Sequence, residues 1–243
     1  MAEPIVYRWE LTDLQFKVLC EDRRIGGLPR PFTFTSTIKF ADDLAVAKEE
    51  ARAGLERLPD PEFDAMVRAL TKPDIMVTAN LWHEREYTDP RRCIRVHAVR
   101  RDERAYVITQ RPGETVAHSG GFDIAECTPA TLARTVLGLL PDMPAGSDPD
   151  ALPERSAGTV AGPRTEEPGS APGPDSGVLK VIQGHLGFRE PGIIHVGLAW
   201  RDVPGDGRYV VGPPGEGAVG MDRTAICAWI DARMAEIMVR LEP

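Results

Sequence analysis

No run in this 243-residue sequence approaches 18 consecutive apolar residues, so it holds no candidate membrane-spanning helix. Its opening, Met1-Ala2-Glu3-Pro4-Ile5-Val6-Tyr7-Arg8, has neither the basic stretch nor the apolar stretch of a secretory signal, and this predicts a cytoplasmic protein. Basic charge is also short: 29 Lys and Arg stand against 37 Asp and Glu, a net charge of −8. A nucleic-acid binder needs a basic stripe, and docking on an anionic membrane needs a basic cluster, so neither partner is expected. Cysteine is sparse, with Cys20, Cys93, Cys127 and Cys227 scattered and no CxxC pair. That excludes a disulfide framework and leaves the thiols as small buried apolar groups. Asn80 is the single asparagine, and lysine is outnumbered by arginine five to 24, the bias of a high-GC bacterial genome.

Catalytic patterns are missing too. The histidines His83, His97, His118, His185 and His195 form no HExxH and lie at no zinc-site spacing from a cysteine. There is no GxSxG; Ser119-Gly120-Gly121 reads as a turn between two short strands. Glu84 with Glu86, and Asp42 with Asp43, fall on exposed faces or in a first helical turn, where the helix dipole accounts for them. Gly215-Glu216-Gly217-Ala218-Val219-Gly220 is a literal GxGxxG. Only 23 residues follow it, too few for the rest of a dinucleotide-binding βαβ unit, and a hairpin turn accounts for it better. His97 and His195 fall in equivalent strands, so an acid–base pair is the one enzymatic reading left. The expectation is no cofactor, no metal and no enzyme.

The chain nonetheless has the composition to bury a core, at 42% hydrophobic residues. Composition breaks once, at 142–176, with seven prolines, five glycines, no aromatic residue and seven acids against two arginines. Such a stretch cannot bury enough surface to offset the entropy of ordering it. It reads as a disordered acidic linker between an N-terminal half, 1–141, and a C-terminal half, 177–243, of one domain.

Local signals place the elements. Thr12-Asp13-Leu14-Gln15 is a capping box opening a helix after a strand at 5–11. A short strand is predicted near 32–38 and a helix over 42–58. Asp60-Pro61 caps a third helix, 61–71. Strands follow at 74–83, 94–100 and 104–110, with a weaker pair at 114–118 and 122–126. Thr128-Pro129 opens a helix at 129–140. After the linker come strands at 178–184, 193–201 and 207–212. A helix over 223–240 then carries Ile226, Trp229, Ile230, Met234, Ile237, Met238 and Leu241 at helical spacing.

The halves repeat one another. Ile94-Arg95-Val96-His97-Ala98 returns as Ile194-His195-Val196-Gly197-Leu198, and Tyr106-Val107-Ile108 as Tyr209-Val210-Val211, each followed by an amphipathic helix. The predicted fold class is α+β: two hairpin-plus-helix units in a pseudo-two-fold arrangement share a central antiparallel sheet, with additional N-terminal helices.

The segment Trp9-Glu10-Leu11-Thr12-Asp13-Leu14-Gln15-Phe16-Lys17-Val18-Leu19 resembles the opening of the EspG family of ESX (type VII) secretion-associated proteins. Gly207-Arg208-Tyr209-Val210-Val211 with its following helix resembles that family's end, and the order of elements between them is similar. A linker this long and proline-rich departs from the family pattern. The resemblance implies a non-catalytic cytoplasmic chaperone that holds the helical tip of the PPE partner in a PE/PPE-like heterodimer and keeps it soluble until export.

The alternation in strand 74–83 agrees with a binding role. Ile75, Val77, Ala79 and Leu81 share one face; Met76, Thr78, Asn80 and Trp82 share the other, a mixture typical of interfaces. Arg95, His97 and His195 extend that second face. Met76, Asn80, Trp82, Arg95, His97 and His195 are therefore the candidate partner-binding residues, with Trp82 as anchor. Coverage of this face by the C-terminal helices is the competing account. An immunity protein that neutralises a secreted toxin is the alternative function, being equally acidic and non-catalytic.

Overall fold

Helix starts are set by side chains that satisfy otherwise unpaired amide groups. Strand β1 (Tyr7–Leu11) ends at Thr12, whose hydroxyl accepts from Gln15 N at 3.1 Å while the Gln15 side chain accepts from Thr12 N, opening α1 (Asp13–Asp22). Asp60 caps α3 (Pro61–Thr71) through Glu62 N and also accepts from the Trp9 indole at 3.1 Å, so one carboxylate ties β1 to α3. Between them lies α2 (Ala41–Glu56), which buries little beyond Ala51. The computed structural model describes residues 7–23, 25–58, 60–148, 175–184, 194–211 and 217–241.

Next come β2 (Ile75–His83), β3 (Cys93–Arg101), β4 (Arg104–Pro112), β5 (Ser119–Cys127) and, after a 3-10 turn at Pro129–Thr131, α4 (Leu132–Gly138). The remainder holds β6 (Asp175–Gln183), β7 (His195–Val203), β8 (Gly207–Val211), β9 (Ala218–Gly220) and α5 (Arg223–Leu241). The nine strands of the described residues form one antiparallel sheet in the order β1-β5-β4-β3-β2-β6-β7-β8-β9. The seam between the two parts of the chain is the β2–β6 pair, in continuous register from Ile75 opposite Gln183 to His83 opposite Asp175. The chain is thus α+β with a large antiparallel sheet and several helices, as its patterning predicts.

Two apolar clusters fill opposite sides. On one, Ile75, Val77, Ala79, Leu81, Val96, Leu179 and Val181 meet Leu132, Val136 and Leu137 of α4 and Ile226, Ile230, Met234 and Ile237 of α5. On the other, Tyr106, Ile108, Phe122 and Ile124 meet Phe16 and Leu19 of α1, Phe63, Met66 and Leu70 of α3, and Phe32.

Three expectations are corrected. The 32–38 stretch is no strand, because it bonds to side chains instead of a ladder: Thr33 N donates to Gln110 Oε1 (2.9 Å) and Gln110 Nε2 to Thr33 O (3.1 Å). The 114–118 stretch is a turn held by His118 N donating to Thr115 O at 3.0 Å. Ser119-Gly120-Gly121, read as a turn, instead begins β5; Gly121 sits at φ 116°, and a Cβ at Gly120 would lie 2.4 Å from Pro112 O. The GxGxxG stretch accords with a hairpin: β8 pairs antiparallel with Ala218–Gly220, and residues 212–216 between them lie outside the described residues.

The assigned linker is also shorter at both ends. Asp175 and Ser176 belong to β6. Residues 144–146 pack on β8, where Gly146 N donates to Arg208 O (3.0 Å) and Arg208 N to Pro144 O (2.8 Å). A Cβ on Gly146 would lie 2.1 Å from the Tyr209 ring, so glycine lets the strap sit flat. Residues 149–174 lie outside the described residues.

Candidate protein-interaction surface

Residues directly opposite in an antiparallel ladder point to the same side. Asn80 stands opposite both Arg95 and Val178, Thr78 opposite His97 and Lys180, and Ile182 opposite Met76 and His195. The six residues chosen from the sequence therefore share one sheet face. It is not the face under α4 and α5, which pack against Ile75, Val77, Ala79 and Leu81.

That shared face is divided. Over β3, β4, β5 and β1 it is covered by the N-terminal helices and by residues 30–32. His97 lies beneath this cover at 4% exposure, with Nδ1 2.8 Å from Arg30 O and its ring 6.0 Å from that of Phe32. A carbonyl can only accept, so Nδ1 carries the proton. Burial pushes the imidazole pKa down to about 4, against a smaller opposing effect of the Arg30 carbonyl. His97 thus does not reach the surface, and its selection as a contact residue is corrected: alternation gives the side of a strand, not what lies over it. Met76 packs partly on the same N-terminal cluster, and Arg95 donates to Val116 O at 2.8 Å. His97 and His195 do not meet either. Strands β2 and β6 stand between them, three interstrand spacings or about 14 Å, which removes the acid–base pair.

From β2 outward, no helix of the described residues covers this face. Asn80, Trp82, Val178, Lys180 and Ile182 are half-buried, while His195, Gly197, Ala199 and Val211 are exposed. Where cover ends, a groove of about 370 Å³ runs between residues 30–32 on one wall and Asn80, Val178, Lys180, Ile182 and His195 on the other. At the far end of β6, Glu84 accepts from Ser176 and from Arg201 (2.6 Å) beside Trp82. Sequence reasoning missed Val178, Lys180, Ile182 and the 30–32 wall. The β6 contribution was legible in the alternation of Val178, Lys180 and Ile182 with Leu179 and Val181; the wall had no local signal.

Other reactive groups are occupied. Burial pushes the Cys20 thiol up to about 12 and Cys127 to about 11. Arg208, 1% exposed, donates from Nε and Nη2 to the two Asp202 oxygens (2.6 and 2.7 Å) and from Nη2 to Pro141 O (3.1 Å). A second cavity of about 470 Å³, among α1, α2 and α3, is lined largely by charged residues, of which Arg52 pairs with Asp22 at 2.9 Å. Among the described residues no group of three or more His, Cys, Asp and Glu is placed to hold a metal ion. No helix among them is long and apolar enough to cross a membrane.

The EspG family model matches residues 12–235. No curated protein matches the sequence. Among solved structures, the Mycobacterium tuberculosis type VII secretion system chaperone EspG5, in complex with the PE25-PPE41 dimer, is similar at a TM-score of 0.50 and 12% identity, over 96% of each chain. At that identity the likeness is one of fold.

Proposed function

The chain belongs to the EspG family, and from that premise we propose that it is a type VII secretion chaperone. It binds a PE/PPE-like heterodimer in the cytoplasm and keeps it soluble and export-competent, without chemistry of its own. The observation that carries this reading is the half-covered sheet: an open, partly polar surface with apolar islands at Trp82, Val178 and Ile182, flanked by the wall of residues 30–32. An apolar helical tip needs such a surface, since apolar contacts supply affinity and the polar rim supplies register. The EspG5 structure, with a PE–PPE dimer bound to the same fold, supports the choice of partner.

Of the six residues, Asn80, Trp82 and His195 are the direct contacts in this reading. Arg95 lies at the border, and Met76 and His97 support the face from within. Co-expression with the PE/PPE-like pair encoded in the same gene cluster tests it. A substrate that fails to co-purify and is equally soluble alone defeats it. Trp82→Ala is expected to weaken binding at least about tenfold while leaving the fold intact, as truncation of an interface aromatic does.

The pseudo-two-fold belongs to the same proposal. We read β2–β5 with α4, and β6–β9 with α5, as two copies of one unit facing each other across the β2–β6 seam. The mirrored strand order on either side of that seam supports it, as do the repeated Ile94 and Ile194 segments. The halves 1–148 and 175–243 then make one domain, joined by a segment that takes no part in binding.

A further inference from the structure

The groove at the edge of the covered face has a charge sign opposed to that of the whole molecule. The chain carries −8, yet the charged residues lining the groove are Arg30 and Lys180, with His195 beside them and no carboxylate. Several cations elsewhere are matched: Lys48 with Glu21, Arg52 with Asp22, Arg104 with Glu62, Arg111 with Asp123 and Arg201 with Glu84. Among the described residues, Arg30 and Lys180 have no such partner. Lys180 is half-buried on the open sheet between Val178 and Ile182, and no carboxylate of the described residues pairs with it. Pro31 and Phe32 supply an apolar wall opposite.

Resting on the chaperone reading above, we propose that this groove seats the partner's tip and selects a helical tip whose exposed apolar side chain stands beside a carboxylate. The apolar group lies on Val178, Ile182 and Phe32. The carboxylate takes the place of water at Lys180 and Arg30 and supplies the counter-charge that the groove lacks. A tip with a cation at that position is refused by like-charge repulsion, and one with an amide binds less tightly because it brings no counter-charge. Specificity among otherwise similar apolar tips is then set at Lys180, two rungs along the sheet from Trp82.

The test measures Kd between the full chain and the PE/PPE-like heterodimer from the same gene cluster, at low and at moderate salt. Lys180→Glu is expected to raise Kd at least about tenfold and to flatten its salt dependence, as removal of a complementary charge does. Its unfolding midpoint should stay at the wild-type value, because the side chain is only half-buried. Replacing each carboxylate of the partner's tip in turn by lysine should identify one position at which binding to Lys180→Glu recovers at least about fivefold. If wild type binds, Trp82→Ala weakens it and Lys180→Glu does not, the face is right and the groove is wrong. Loss in Lys180→Glu with no tip replacement that restores it overturns the carboxylate. A wild-type chain that binds no such heterodimer defeats the chaperone reading and this inference together.

Discussion

His97 makes the stability of this fold depend on pH in a window that few other groups share. Its imidazole is buried and neutral, donating to Arg30 O and walled by Phe32, with Thr78 and Ile108 as its cross-strand neighbours. The folded pKa of about 4 lies below the ordinary value of 6.5. Between those two values the unfolded chain holds a proton that the folded chain refuses, so stability is full above pH 6.5 and declines as pH falls toward 4. A tenfold difference in proton affinity corresponds to about 1.4 kcal/mol, so the total loss is about 3 kcal/mol, of which about 2 kcal/mol has gone at pH 5. His97→Asn keeps a donor for Arg30 O and cannot titrate. It should cost stability at pH 7.5 through lost packing, and that deficit relative to wild type should shrink by about 2 kcal/mol at pH 5. Urea unfolding at the two pH values reads this directly, since carboxylate effects are common to both proteins and cancel. At an m-value of about 2.5 kcal/mol/M the change in relative midpoint is about 0.8 M. Wild-type and variant curves that run parallel from pH 7.5 to 5 would refute the reasoning and mean that His97 protonates in place.

Asp202→Ala strands the Arg208 guanidinium in the interior and should cost about 3–5 kcal/mol in urea unfolding, whereas Asp202→Leu with Arg208→Met should recover most of it; failure to recover would assign the effect to the lost hold on Pro141. Deleting 152–170 leaves seven residues, a reach of roughly 25 Å, to span about 14 Å from the strap to β6, and should leave the thermal midpoint unchanged. Extending that deletion back to residue 145 removes the strap on β8 and should lower the midpoint by at least about 4 °C. Cys20, its thiol pushed up to about 12, should resist iodoacetamide at pH 8 in the folded chain and react readily in urea, a contrast read by mass spectrometry.

Local signals carried much of the fold. Thr12 and Asp60-Pro61 opened helices where their capping chemistry placed them, and the alternation from Ile75 to Trp82 sorted the two faces of β2 correctly. The failures share a cause, namely bonds to residues distant in sequence. The β-branched residues around Thr33 look like a strand, but their partner is the side chain of Gln110. Residues 144–146 look like linker because proline and glycine dominate, and only the ring of Tyr209 reveals why a glycine is there. Site reading divided the same way. Strand periodicity put six residues on one face, while the burial of His97 and the openness around His195 depended on where residues 30–32 cross the sheet.

The β2–β6 seam also sets an order of events during synthesis. Its two strands are separated by about a hundred residues, including the proline-rich stretch, and at roughly 5–20 residues per second the ribosome needs about 5–20 s to bridge that interval. Throughout it, β2 is an unpaired edge whose apolar side lacks both β6 and α5, the exposure that invites strand addition from another chain. On the chaperone function proposed above, the protein passes through the same hazard from which it would shield its partner. A nascent chain stalled before residue 183 is the form of this molecule most in need of a chaperone.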